Sequence, residues 1–99
     1  MNTSEHLLTC LSEECCEVSK NVSKALRFGL DDRNILNPTG PTNRERLLDE
    51  MNDVVAVMGL LVDIQVFPEK WSVLEKVLAK RAKVKKFLQY SKDVGTLND

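Results

Sequence analysis

Histidine is almost missing from this 99-residue chain, and His6 is the only one. Di-iron and di-manganese carboxylate centres in helical bundles draw on Glu-x-x-His pairs. His6 belongs to no such pair, which argues against redox-metal chemistry of that kind. Cysteine is scarce and odd in number: Cys10, Cys15 and Cys16 have neither zinc-type nor Cys-x-x-Cys spacing. Reduced thiols in a cytoplasmic setting fit best, with Cys15 expected to pack in the core. One Trp, one Tyr and three Phe leave the core mostly aliphatic, while the few glycines and prolines gather towards the middle and leave room for long helices. No apolar run approaches the roughly 20 residues of a membrane span, and the polar start Met1-Asn2-Thr3-Ser4-Glu5 does not read as a secretory signal. Excess charge of one sign is absent too. The net charge of −1 steers the chain neither to nucleic acid nor to an acidic membrane surface.

What the chain does have is helical periodicity. By length it is one domain over residues 1–99, and its 42% apolar and 29% charged content is that of a folded chain rather than a disordered one. Thr3 or Ser4 can cap a first helix running to about Phe28. Its apolar stripe is Leu7, Leu8, Leu11, Cys15, Val18, Val22, Ala25 and Leu26. Gly29 is a stop signal, and Leu30 to Pro41 reads as a loop, long for a small helical domain and of a length that often carries function. Thr42 or Asn43 caps a second helix, with Glu45 supporting the cap. From Val54 to Val62 that helix is apolar nearly all round, which predicts enclosure by a second subunit. Pro68 suits the first turn of a third helix, expected to bend or break near Leu78 to Arg81 and to end before Gly95. The fold class is therefore all-α, with three to four helices, and a chain this small is expected to complete its core by oligomerising.

Two acidic clusters stand on the first two helices: Glu13-Glu14-Cys15-Cys16-Glu17 and Glu50-Met51-Asn52-Asp53. Residues three apart are neighbours on a helix surface, so Glu14 pairs with Glu17 and Glu50 with Asp53. Cys10, Glu14, Glu17, Asn21 and Lys24 share one edge of the first helix. Arg46, Glu50, Asp53 and Val57 share one edge of the second. Both edges adjoin the apolar stripe rather than opposing it. Acidic residues on helices are usually no more than a solvated face, yet four converging carboxylates repel one another unless a cation intervenes. Hard divalent ions such as Mg²⁺ take oxygen ligands of this type, commonly together with substrate phosphates.

The pattern Glu13-Glu14-x-x-Glu17 followed by Glu50-x-x-Asp53 resembles the EExxE…ExxD signature of the MazG-like all-α nucleoside triphosphate pyrophosphohydrolases, in their compact phage or bacterial form. Leu26-Arg27-Phe28-Gly29 and the basic stretch Lys80 to Lys86 add to the likeness, which spans most of the chain. The interval between the two clusters is longer than in compact members, with the excess in the Leu30–Pro41 loop.

The resemblance implies an oligomeric four-helix bundle, homodimer or homotetramer, and Mg²⁺ (or Mn²⁺) held by Glu14, Glu17, Glu50 and Asp53. It implies hydrolysis of the α–β phosphoanhydride of a nucleoside triphosphate, with Glu13, Glu14 and Glu17 as catalytic candidates and Glu13 helping to position the attacking water. Substrate contacts are expected from Asn21, Lys24, Arg27, Lys80 and Lys83. Two other readings keep the bundle: a non-catalytic helical interaction module, and a dUTPase-like or phosphoribosyl-ATP-hydrolysing relative that shares the metal logic.

Overall fold

The computed structural model describes all residues, 1–99, and contains three α-helices: α1 (Thr3–Phe28), α2 (Asn43–Asp63) and α3 (Leu74–Asp93). No strand forms, only an isolated bridge between Arg33 and Thr42. The chain divides into two units, Met1–Pro68 with α1 and α2, and Glu69–Asp99 with α3.

In the first unit α1 starts one residue earlier than its hydroxyl residues suggest. Asn2 is the cap, its Oδ1 accepting from the Glu5 amide at 2.8 Å. Gly29 ends the helix at φ 99°, a conformation that disfavours any side chain, and its N–H donates to the Ala25 carbonyl at 2.8 Å. Leu7, Leu11, Val18 and Ala25 are half-buried along the seam with α2, whereas Cys15 and Leu26 are exposed. The buried stripe is thus narrower than the apolar periodicity. Within this unit α1 has one helical neighbour, which covers a smaller arc than the apolar residues occupy.

A reciprocal capping box starts α2. The Glu45 amide donates to the Thr42 hydroxyl oxygen at 3.2 Å, and the Glu45 carboxylate accepts from the Thr42 amide at 3.2 Å. Three further bonds strap this end of α2 to the end of α1. Asn43 donates its amide to Asp32 O at 2.9 Å and its side-chain Nδ2 to Gly29 O at 2.8 Å, and the Arg44 amide donates to Leu30 O at 2.8 Å. The intervening loop holds itself together around Asn34, whose Oδ1 and carbonyl accept from the amides of Leu36 and Asn37, both at 2.8 Å. The chain therefore turns back, and the two helices pack antiparallel. Leu61 is the one fully buried apolar residue, while Val55 and Leu60 on the same helix are exposed.

After α2 the amides of Val66 and Phe67 return to the Leu61 carbonyl at 2.9 and 3.3 Å, through Gln65 at φ 62°. Pro68 consequently lies outside any helix, and α3 begins at Leu74, six residues later than its proline suggests. The second unit, Glu69–Asp99, contains an unbroken α3; the interruption expected near Leu78 to Arg81 does not occur. The apolar positions Trp71, Leu74, Val77, Leu78, Val84, Phe87 and Leu88 are exposed.

Candidate metal centre

The register of the hairpin brings the acidic clusters together. Lys24 on α1 and Asn43 on α2 line one cavity and so stand at the same level. Glu14 lies ten residues back along α1 from Lys24, and Asp53 lies ten residues along α2 from Asn43. At about 1.5 Å per residue each path is about 15 Å, so Glu14 meets the Glu50–Asp53 pair. Carboxylate oxygens of Glu14, Glu50 and Asp53 all come within 4.8 Å of one another, with Glu14 and Glu50 half-buried and Asp53 exposed.

Crowding these groups has an electrostatic cost. The Glu50 pKa is raised, first by its partial removal from water, then by the charges of Asp53, Glu14 and Glu17 and a hydrogen bond with Glu14. Glu17 is exposed and acts on Glu50 through its charge, without joining the close trio. Glu13 is exposed and outside the trio, as its helical direction indicates.

An all-carboxylate donor set suits a hard divalent cation rather than a soft one. Two ligands on one Mg²⁺ at about 2.1 Å can be no more than about 4.2 Å apart, against about 4.8 Å for Ca²⁺ at about 2.4 Å. A spread within 4.8 Å brings the three carboxylates close enough to share one hard cation after an inward rotation of the side chains.

The other expected contacts divide. Asn21 is buried, and its Nδ2 donates to the Glu17 carbonyl at 2.9 Å within α1. Arg27 is exposed, its guanidinium 4.8 Å from the centre of the Phe28 ring. Lys24 lines the cavity of about 280 Å³ that opens beside the helix hinge. Lys80 and Lys83 are exposed on α3 of the second unit. Sequence periodicity gave no reason to pick out Arg33 or Ile35, which line the same cavity from the loop. Arg46 had a signal, since it shares the edge of α2 that carries Glu50.

No protein-family model, curated protein or solved structure matches this chain.

Proposed function

We propose that this chain is a Mg²⁺-dependent nucleoside triphosphate pyrophosphohydrolase of the MazG-like type, cleaving its substrate to nucleoside monophosphate and pyrophosphate. The observation that supports the reading best is the convergence of Glu14, Glu50 and Asp53 from two helices, at the positions the acidic signature requires. These three residues would hold the ion, with Glu17 beside them. The bound ion would supply charge neutralisation for the phosphate oxygens and a lowered pKa for attacking water.

The side chains supply the rest. Glu17, exposed at the edge of the trio, accepts a hydrogen bond from the attacking water and sets its direction. A bond forms between the water oxygen and the α-phosphorus while the water's proton passes to the Glu17 carboxylate, and the bond from the α-phosphorus to the bridging oxygen breaks with its electron pair leaving on pyrophosphate. Lys24, two turns beyond Glu17 on the same edge of α1, faces the charge that develops on the leaving pyrophosphate.

The assembly proposed is a homodimer or homotetramer in which a second hairpin completes a four-helix bundle. Support comes from the exposed apolar residues of α1 and α2, among them Leu8, Val22, Leu48, Met51, Val55 and Leu60. No helix is long and apolar enough to cross a membrane, and a cytoplasmic enzyme acting on the nucleotide pool is the corresponding setting.

Pyrophosphate release from a panel of canonical, deoxy and modified nucleoside triphosphates, with Mg²⁺ and with EDTA, tests the activity. Release that needs Mg²⁺ and disappears in Glu50→Gln supports it. Silence across the panel, with the fold intact, favours a non-catalytic helical module.

A further inference from the structure

The cavity beside the hairpin hinge carries a different charge from the acidic trio. Lys24 enters it from α1, Arg33 from the loop and Arg46 from α2, against a single carboxylate, Asp32. None of these four is in an ion pair. The structure's one ion pair joins Arg44 to Asp31 at 3.2 Å, and neither residue lines this cavity. Arg46 Nε is shielded from solvent and has no hydrogen-bond partner. Arg33 is oriented by the bond its Nε donates to the Gly40 carbonyl at 3.0 Å, which leaves the far end of its guanidinium fork without a hydrogen-bond partner. Phe28 and Ile35 add exposed apolar surface to its lining, and charge-assisted hydrogen bonds are the stronger kind. Unpaired cations around an apolar hollow, one of them with a shielded N–H that lacks an acceptor, describe a receptor for a multidentate oxyanion.

Its position relative to the carboxylates sets what that oxyanion is. Arg46 precedes Glu50 by one helical turn, about 6 Å, whereas Lys24 lies ten residues, about 15 Å, along α1 from Glu14 and forms the far wall of the cavity. A phosphate group held by Arg46 is two links along a polyphosphate chain from a phosphorus at the trio. We infer that Lys24, Arg33 and Arg46 form a phosphate pocket that takes the terminal phosphate of the substrate and makes the site selective for triphosphates over diphosphates. The identity of the ligand as a substrate's tail rests on the hydrolase reading; the oxyanion pocket itself does not.

Two measurements separate these. The first is calorimetric titration of inorganic pyrophosphate into the full chain in EDTA, for wild type, Arg46→Gln, Lys24→Gln and the exposed-charge control Lys20→Gln, with each fold checked by circular dichroism. Wild type and Lys20→Gln should bind alike, and the two cavity variants at least tenfold more weakly. Absence of binding to wild type, or equal affinity in all four proteins, overturns the pocket.

The second is the ratio of kcat/KM for a nucleoside triphosphate to that for its diphosphate. This ratio should fall about tenfold in Arg46→Gln, because the diphosphate does not reach the pocket. If pyrophosphate binds with this sensitivity and no nucleotide is hydrolysed, the pocket stands and the hydrolase reading fails. If triphosphates are hydrolysed and neither cavity variant changes binding or the ratio, the pocket fails and the hydrolase reading stands.

Discussion

The side chain of Asn43, the first residue of α2, donates to the carbonyl of Gly29, the residue that ends α1, at 2.8 Å. This bond ties the two helices at their hinge, and the helical rise then carries the register to the acidic trio. Asn43 is buried, and its removal deletes this bond and leaves the Gly29 carbonyl with the longer bond from the Asp32 amide at 3.3 Å. Asn43→Ala should lower unfolding free energy by about 1 kcal/mol, read from urea denaturation. It should also weaken Mg²⁺ binding, although Asn43 belongs to the hinge and not to the trio. Unchanged metal affinity in a destabilised but folded variant would show that the hinge does not set the register.

Thr42 and Glu45 test the start of α2. Thr42→Ala removes the capping oxygen and should cost about 1 kcal/mol. The bonds from the Thr42 amide and hydroxyl lower the Glu45 pKa, with a smaller contribution from Arg33. A lowered carboxyl contributes stability above its ordinary range and loses it as pH falls through the depressed value. Wild type should therefore lose more stability on acidification than Glu45→Gln does, measured by urea midpoints at a series of pH values.

Glu50 has the opposite sign. Its raised pKa means that the folded chain holds this proton more tightly than the unfolded chain. Its contribution to stability is full below the ordinary Glu range and is lost as pH rises through the raised value. In EDTA, Glu50→Gln should be more stable than wild type at neutral pH, and the difference should shrink in acid. Wild-type metal affinity should climb with pH through the same window, since the ion competes with the proton. A Glu50→Gln protein that is less stable than wild type at neutral pH without metal would refute the crowding of carboxylates described above.

The exposed apolar side of α2 makes a separate prediction. Val55 is 57% exposed, and Leu60 is 49% exposed. Sedimentation should find a dimer or tetramer, and Val55→Asp should shift it towards monomer with a lower thermal midpoint. A wild-type chain that is monomeric at high micromolar concentration would remove the proposed subunit interface.

Much of the first unit was legible in the residues themselves. Gly29 and Thr42 mark helix ends because each supplies something a terminus needs, an accessible positive φ in one and a side-chain acceptor in the other. The edge shared by Glu14, Glu17, Asn21 and Lys24 follows from 3.6-residue periodicity. The start of α3 was not legible. Pro68 fits a first helical turn by its fixed φ, but the preceding amides fold back onto Leu61 and leave it outside any helix. The cavity was also hidden, because Asp32, Arg33 and Ile35 reach it through an aperiodic loop whose path depends on bonds to Asn34 and Gly40. Cys15 and Leu26 look like core residues by spacing and face outward, since a two-helix unit covers only part of an apolar stripe.

Direct titration of Mg²⁺ into the full chain, for wild type, Glu14→Gln, Glu50→Gln and Asp53→Asn, tests whether the acidic trio holds a divalent cation. Saturable binding to wild type is expected, with a loss of at least tenfold in affinity in each variant and the helical content retained. Equal Mg²⁺ affinity in all four proteins would contradict it.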